Sequence, residues 1–227
     1  ASMRTDMHLL LDWAWEVVHD PRIVDPVSDV LGPNVLLWSL NWFIKEANDQ
    51  KFVTFHQDAT YWGLYPYDVV TAWVALSDAS MATGPMRFVK GSHTEPIREH
   101  SDTFSENNLL SRGQVIKGQV SDDRIAVAPL QAGEMSLHHV CTIHGSEPNE
   151  TGDRRIGMVL RYCATHVKQT KVADTAVLVK GRDVFNHFEL LPPPQVNMGN
   201  EEVSRHKDSL RKMQRAIHSK DYEEGQS

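Results

Sequence analysis

The sequence predicts a mainly β, α+β protein whose short strands form a sandwich or a double-sheet jelly roll with flanking helices. Gly, Pro, Asn and Asp separate many short runs of β-forming residues, which is the pattern of these two architectures. Helical spacing of apolar residues occurs at the two ends of the chain. The predicted strands cover residues 35–44, 52–56, 69–76, 86–90, 125–129, 134–143 and 155–163.

The first predicted element is a helix in "MHLLLDWAWEVVHD". Its apolar residues at positions 9, 10, 13, 17 and 18 have the spacing of one helical face. Pro21 and the stretch "DPVSDVLGPN" are then expected to break and restart the chain. From "NVLLWSLNWFI" onward the pattern changes to that of strands.

A long polar segment, residues 94–124, separates two of the predicted strands. Loops of this length inside a compact domain are usually functional lids or disordered, and we expect one of the two here. The stretch "PPPQVNMG" is expected to end the folded part, so that residues 1–195 form a single domain. Residues 196–227 are predicted to form a polar helical tail with a thin apolar face.

Composition narrows the class of partner. The chain has 227 residues, of which 41% are hydrophobic, and a formal charge of -7. That charge argues against nucleic acid or an anionic membrane as the main partner, so a small molecule is expected. No apolar run approaches the roughly 20 residues that span a bilayer, and no secretory signal is recognisable. Cys141 and Cys163 are too few for a disulfide framework, which favours the reducing cytoplasm.

The stretch "FVTFHQDATYW", residues 52–62, places a histidine and a carboxylate inside a run that otherwise predicts a buried strand. Because alternate residues of a strand share a face, His56 and Asp58 project together. Burying this pair is costly unless the charge is paired or bound to a metal. Taken alone, the triplet also fits a surface hairpin with a His–Asp ion pair.

A second group of polar residues lies in "GEMSLHHVCTIHGSEPNETGDRRIGMVLRYC". Gly133 is predicted to open a strand that ends at His144, and "GSEPN" to turn the chain into a strand that begins near Arg155. Strands joined by a tight turn are antiparallel neighbours, which would place Arg155 near His144. A buried arginine needs an anion, and its planar fork binds a carboxylate through two hydrogen bonds. Two histidines and one carboxylate form the facial triad of non-haem Fe(II) oxygenases.

Four motifs, in consistent order, resemble the phytanoyl-CoA dioxygenase family. They are "HQD" at 56–58, "AWVAL" at 72–76, "TGPMRFVKGSH" at 83–93, and "HGSEPN" followed by "RR" at 144–155. The resemblance covers roughly residues 35–165. It implies a double-stranded β-helix, a cupin-like jelly roll, and a dioxygenase that uses Fe(II), 2-oxoglutarate and O2. Relatives have additional N-terminal elements, so we expect the N-terminal part of the domain to be truncated in this chain.

The resemblance also assigns roles to individual residues. It implies that His56, Asp58 and His144 ligate iron. Arg155, which follows His144 at the spacing found in the family, would hold the distal carboxylate of 2-oxoglutarate. Ser146 would donate a hydrogen bond to the same carboxylate.

Further residues are expected to line the same cavity. Trp73 matches a tryptophan of the cosubstrate pocket, and Lys45 and Asn41 lie on a strand that faces this pocket in relatives. Trp62 and Tyr61 are candidates for the substrate mouth, with simple packing as the alternative.

His138 shares strand alternation with His144, so it is a candidate for substrate contact or for support of the site. A buried core histidine is the alternative.

The implied reaction is hydroxylation of a small, polar metabolite, coupled to conversion of 2-oxoglutarate to succinate and CO2. Asp58 favours hydroxylation, because related halogenases have a small apolar residue at that position. The main alternative is a non-catalytic jelly-roll protein that binds 2-oxoglutarate or metal. A zinc-dependent hydrolase built on the same triad is a third hypothesis. The sequence does not identify the substrate or the oligomeric state.

Overall fold

The computed structural model describes residues 4–219. Its helices are α1 (Asp12–Val18), α2 (Pro21–Leu31), α3 (Ala59–Trp62) and α4 (Asn200–His218), with 3-10 turns at Met7–Leu9, Met81–Thr83, Ser92–Thr94 and Asp122–Arg124. Its strands are β1 (Val35–Lys45), β2 (Val53–His56), β3 (Leu64–Tyr65), β4 (Val69–Ala75), β5 (Met86–Val89), β6 (His100–Asp102), β7 (Gln114–Ile116), β8 (Ile125–Ala128), β9 (Met135–His139), β10 (His144–Ser146), β11 (Arg155–Ala164), β12 (Lys168–Gln169), β13 (Thr175–Lys180) and β14 (Glu189–Leu190). None of the helices in this part of the chain is long and apolar enough to cross a membrane.

The prediction of a mainly β fold with flanking helices is confirmed. Six of the seven predicted strands coincide with an observed strand to within a residue or two. The exception is the strand predicted over 134–143, because β9 ends at His139 and His144 begins a separate strand, β10.

The N-terminal helices differ from the prediction in detail. The predicted first helix is divided into a 3-10 turn and α1. The break expected in "DPVSDVLGPN" occurs at its end, since α2 continues through Pro26 to Leu31 and stops at Gly32. Asp20 explains where α2 begins: its side chain accepts a 2.9 Å hydrogen bond from the N–H of Arg22. Pro21 then occupies the first helical position, where its missing N–H costs nothing.

The chain divides into two compact units. Within the described residues, the first comprises residues 4–41, 61–72 and 159–219. Its sheet has the strand order β14–β13–β1–β11–β4, with β1 and β13 antiparallel and β13 and β14 parallel. Its buried apolar side chains include Leu36, Leu37 and Leu160, and α4 packs against the 3-10 turn at Met7–Leu9.

The second unit comprises residues 42–60 and 73–158. It contains an antiparallel four-stranded sheet of order β2–β10–β5–β8, and the adjoining ends of β1, β11 and β4 with β9 beside β4. Strands distant in sequence are neighbours in both sheets, which is the connectivity of a jelly roll. The expectation that residues 1–195 fold as one domain stays a prediction.

The segment 94–124 contains the antiparallel hairpin β6–β7, in which His100 lies opposite Ile116. Ile116 packs with Val89 and Ile143 in a buried cluster, against which Phe55 and Val120 also pack. A short hairpin therefore lies within the long segment that we expected to be a loop, and a role as a lid stays a prediction.

The predicted C-terminal helix is observed as α4, and its part beyond Ser219 lies outside the described residues. Cys141 and Cys163 are both buried and unpaired with each other.

Candidate metal centre

His56, Asp58 and His144 converge in the second unit. His56 ends β2, His144 begins β10, and the two residues lie opposite each other across this antiparallel pair. Their Nε2 atoms lie 3.3 and 3.8 Å from the two carboxylate oxygens of Asp58. The three ligand atoms lie within 4.8 Å of one another and so surround a single candidate metal position. Within residues 4–219, no other three His, Cys, Asp or Glu side chains come together in this way.

Backbone carbonyls orient both imidazoles. Nδ1 of His56 donates to the carbonyl of Thr54, and Nδ1 of His144 donates to the carbonyl of Thr142, each at 2.9 Å. Because Nδ1 carries the proton, Nε2 keeps its lone pair for a metal. The centroids of the two imidazole rings are 4.2 Å apart, and both side chains are almost completely buried. Two imidazoles and one carboxylate suit a divalent transition metal and leave coordination positions open.

The route from His144 to Arg155 differs from the prediction. β10 lies between β2 and β5, whereas β11 begins at Arg155 in the other sheet, between β1 and β4. The expected hairpin between these strands is therefore wrong. Asn149 holds the connection, donating from Nδ2 to the carbonyls of Glu46 at 2.9 Å and Asp153 at 2.7 Å. These hydrogen bonds hold the loop that connects β10 in one sheet to β11 in the other.

Arg155 is fully buried and only partly hydrogen-bonded. Its Nη1 donates to the carbonyl of Gly84 at 2.7 Å, while Nε and Nη2 have no hydrogen-bond partner among residues 4–219. The guanidinium lies over the ring of Trp73, 5.1 Å from its centroid. Gly157 permits this stacking, because a Cβ there would lie 2.2 Å from the Trp73 ring. Leaving buried N–H groups without hydrogen-bond partners costs free energy, so this guanidinium group is suited to bind an anionic ligand.

Lys45 lies beside this guanidinium, and no solvent reaches it. Its Nζ is 2.7 Å from Oγ of Ser146 and 3.4 Å from the carbonyl of Gly84, and it also bonds to the carbonyl of Glu147. Burial, and then the charge of Arg155, lower the pKa of Lys45 to about 6. Burial also lowers the pKa of Arg155 to about 10. The pocket therefore carries basic groups and lacks a paired carboxylate within the described chain.

His138 lies beside the triad, although for a different reason from the one predicted. Its ring centroid is 4.6 Å from that of His144 and 5.2 Å from that of Phe88. Strand alternation cannot explain this proximity, because the chain turns between β9 and β10. The role of His138 towards a substrate stays a prediction.

Three other predicted site residues lie in the first unit. Trp62 packs against Trp38, with ring centroids 5.3 Å apart, and Arg161 lies over its ring at 4.9 Å. Asn41 donates to Oγ1 of Thr5 at 2.8 Å and accepts from Arg161. The side chain of Tyr61 is buried. The substrate and cosubstrate roles assigned to these residues stay predictions.

The β6–β7 hairpin contributes contacts to the site that the sequence did not predict. Gln57, between His56 and Asp58 at the end of β2, donates its backbone N–H to Nε2 of His100 at 2.9 Å. Its Oε1 accepts from the N–H of Arg98 at 2.9 Å, and its Nε2 donates to the carbonyl of Cys141 at 2.8 Å. The segment 94–124 thus holds the metal-binding strand from its outer side. The sequence indicated that Gln57 points away from His56, but it did not identify the residues that Gln57 contacts.

The fold and the site define a jelly-roll protein with a two-histidine, one-carboxylate metal centre. The sequence profile described as "Phytanoyl-CoA dioxygenase (PhyH)" matches residues 2–157. The chain belongs to the phytanoyl-CoA dioxygenase family.

Curated relatives carry several activities in their names. A probable alpha-ketoglutarate-dependent hypophosphite dioxygenase from Stutzerimonas stutzeri is 29% identical over 163 residues, covering 69% of this chain and 55% of the relative. The peroxisomal phytanoyl-CoA dioxygenase of Rattus norvegicus is 24% identical over 173 residues, covering 74% and 51%. The chain thus spans about half the length of the curated relatives it matches.

Solved structures share the fold. A non-haem monooxygenase, ThoJ in its apo form, is 32% identical with a TM-score of 0.84, covering 94% of this chain and 78% of that chain. CytC3 with Fe(II) and alpha-ketoglutarate has a TM-score of 0.62 at 23% identity, covering 84% and 76%, and this likeness concerns the fold alone. Together with the observed strand order, these similarities confirm the predicted double-stranded β-helix.

Proposed function

We propose that this protein is an Fe(II)- and 2-oxoglutarate-dependent dioxygenase that hydroxylates a small, polar metabolite and releases succinate and CO2. The observation that carries the proposal is the pairing of two features in one unit: a buried His56–Asp58–His144 triad and the buried guanidinium of Arg155 with two N–H groups unpartnered. The first fits a metal that needs open positions, and the second fits a carboxylate.

The residues have distinct tasks in this proposal. His56, Asp58 and His144 bind Fe(II) in this proposal. Arg155 binds the distal carboxylate of 2-oxoglutarate through its guanidinium group, which stacks on the ring of Trp73. When bound, iron and 2-oxoglutarate supply the oxidative decarboxylation that is coupled to hydroxylation of a substrate C–H bond.

Lys45 adds a second basic group to this pocket, and Ser146, whose Oγ lies 2.7 Å from Nζ of Lys45, would donate its hydroxyl hydrogen to the same carboxylate. Asp58 supplies the third protein ligand, which favours hydroxylation over halogenation. The buried, stacked guanidinium orients the cosubstrate without rearrangement, which is how positioning contributes to rate.

The substrate class is proposed from the relatives and from the charge of the chain. Relatives are named for hypophosphite and for L-proline, the latter a trans-4-hydroxylase from Streptomyces griseoviridis, and both compounds are small and polar. The formal charge of -7 supports a small-molecule substrate over nucleic acid or an anionic membrane. We place the protein in the cytoplasm, which the two buried free cysteines support. Trp62, Tyr61 and His138 are the residues we propose for substrate contact.

An anaerobic titration tests the proposal. Addition of Fe(II) and 2-oxoglutarate to the purified protein should produce a visible absorption band of the iron–cosubstrate complex. Admission of oxygen with a panel that includes hypophosphite and L-proline should yield succinate together with hydroxylated or oxidised product. Asp58→Ala should lose the band, whereas Asp78→Ala, on the exposed turn after β4, should keep it.

The outcomes separate the competing functions. A band without turnover on any substrate would favour the non-catalytic binding protein. Hydrolysis of a substrate in the absence of oxygen would favour the zinc hydrolase. Absence of the band at millimolar cosubstrate would contradict both 2-oxoglutarate hypotheses.

A further inference from the structure

Two buried cationic side chains share one carbonyl group in the second unit. Lys45 and Arg155 are both shielded completely from solvent. Nζ of Lys45 and Nη1 of Arg155 both point to the carbonyl of Gly84, at 3.4 and 2.7 Å. Neither side chain forms an ion pair with any carboxylate in the described chain. Two charges this close, out of water and without an anion, repel strongly.

The neighbouring acidic groups do not relieve this repulsion. The carboxylate of Glu147 is paired with Arg87 and that of Glu46 with Arg154. Asp49, in the turn after β1, is the acidic residue whose charge acts on Lys45, and this is the smallest of the three influences on its pKa. Its Oδ1 instead accepts a hydrogen bond from the N–H of Lys51 at 3.1 Å. The dominant influences on Lys45 are therefore burial and Arg155.

The hydrogen bonds around Nζ of Lys45 can be formed in either protonation state: an ammonium group donates to all three partners, and a neutral amine keeps the same three contacts if the Ser146 hydroxyl reverses its direction. A neutral amine offers two donor hydrogens and one lone pair, and the three partners of Nζ are two carbonyls and one hydroxyl. The carbonyls of Gly84 and Glu147 can accept the two hydrogens, and the Ser146 hydroxyl can donate to the lone pair. Arginine stays protonated in proteins, whereas a buried lysine releases its proton readily. Of the two cations, Lys45 is thus the one that can be discharged.

We propose that Lys45 is the proton acceptor of the cosubstrate pocket: neutral in the free protein at neutral to alkaline pH, it takes up one proton when a dicarboxylate binds beside Arg155. This inference rests on the proposed function, because the anion is the distal carboxylate of 2-oxoglutarate. The proton comes from solvent and binds to Nζ, and no other bond forms or breaks. The pocket then contains two cations matched to one carboxylate, and the Ser146 hydroxyl is released to donate to it.

The sign of the resulting pH dependence follows from linkage. The pKa of Lys45 is about 6 in the free protein, and the bound carboxylate raises it. Binding is then coupled to proton uptake between these two pKa values, so that the affinity for 2-oxoglutarate falls as pH rises through this range. For one coupled proton the dissociation constant increases about tenfold per pH unit. Both carboxylates of 2-oxoglutarate are already ionised there and contribute no such dependence.

Calorimetry measures this proton directly. The full chain, loaded anaerobically with Mn(II) so that metal binding is complete beforehand, is titrated with 2-oxoglutarate in phosphate and in Tris at pH 7 and pH 8. We expect the measured binding enthalpy to vary linearly with the ionisation enthalpy of the buffer. The slope should correspond to the uptake of nearly one proton. We also expect the dissociation constant to rise about tenfold between the two pH values.

Lys45→Met tests the assignment, with Lys51→Met as the exposed control. Lys45→Met should bind 2-oxoglutarate without proton uptake and without this pH dependence, and Lys51→Met should behave as the wild type. If Lys45→Met does not fold, the buffer dependence of the binding enthalpy of the wild type still tests the inference. Binding with no buffer dependence would overturn the inference and leave the proposed function standing. Absence of any binding of 2-oxoglutarate would overturn both.

Discussion

At the scale of single residues, Arg155 offers a sharp test of the pocket, because its adjacent residue in the chain is a natural control. Arg155→Met removes a buried guanidinium whose free N–H groups we assign to the cosubstrate. Loss of one partner of a buried, hydrogen-bonded charge pair costs about 2–5 kcal/mol. The dissociation constant for 2-oxoglutarate should therefore increase at least about thirtyfold, as measured by anaerobic titration.

Arg154→Met is the matched control. Arg154 is exposed and forms a surface ion pair with Glu46, and such pairs contribute little. We expect it to bind 2-oxoglutarate as the wild type does. Equal affinities of the two variants would contradict the role of Arg155.

Asp6, in the first unit, makes a prediction about stability. Its carboxyl is buried and accepts the N–H of Leu40 at 2.8 Å, and burial raises its pKa to about 7. Arg161 opposes this shift without cancelling it. A raised pKa means that the folded state binds the proton more tightly than the unfolded state. The stabilisation is thus fully present below about pH 4 and is lost as pH rises through 7.

Asp6→Asn removes this titration while an amide oxygen can still accept the bond from Leu40. Its free energy of unfolding should fall less than that of the wild type between pH 5 and pH 8, by a few kcal/mol, in urea titrations. Asp29→Asn, at an exposed position of α2, should show the wild-type dependence. Parallel curves for Asp6→Asn and the wild type would show that Asp6 titrates normally.

Some of the site residues could be predicted and others could not, for physical reasons. Alternation along a strand is local, so the common projection of His56 and Asp58 followed from the spacing alone. The shared carbonyl of Gly84 depends on chain segments 39 and 71 residues away from Lys45 and Arg155, respectively, and no local pattern contains it. The neighbours of Lys45 therefore became visible only in the fold.

At the scale of elements, the strands were predicted well where apolar alternation is uninterrupted and poorly where local hydrogen bonds compete with it. "HHVCTIH" has the composition of a strand. The N–H of Thr142 nevertheless donates to the carbonyl of His139 at 2.8 Å. The N–H of Cys141 donates to Nδ1 of the same histidine at 3.2 Å. This turn ends β9 and allows His144 to begin a new strand in the other sheet, opposite His56.

The β6–β7 hairpin makes a prediction about metal affinity. His100→Ala removes the acceptor of the Gln57 N–H, leaving the donor of a buried residue unpaired between His56 and Asp58. Loss of such a supporting contact typically weakens metal binding about 10- to 100-fold. We expect a decrease of this size in affinity for Co(II), measured by competition with a chelator.

Lys117→Ala is the control next to the same hairpin, since Lys117 directly follows β7 and forms an exposed ion pair with Glu99. It should bind Co(II) as the wild type does. If both variants bind Co(II) normally, the hairpin does not support the metal centre.

At the scale of the whole molecule, the two compact units leave open whether the chain unfolds in one step. All residues of the metal centre and of the pocket around Arg155 belong to the second unit. Three strands, β1, β4 and β11, nevertheless have residues in both units. Because the single domain over residues 1–195 stays a prediction, we expect a single unfolding transition.

Ligand-dependent melting tests this expectation. A ligand present at 100 times its dissociation constant stabilises the folded state by about 2.7 kcal/mol, and each kcal/mol shifts the midpoint of a domain of this size by about 2–4 °C. Mn(II) with 2-oxoglutarate should therefore raise the melting temperature by roughly 5–10 °C in calorimetry. The whole heat-absorption peak should move together, and Asp58→Ala should remove the shift. If part of the peak stayed in place, the units would unfold separately and the single-domain prediction would be wrong, while the metal centre of the second unit would remain supported.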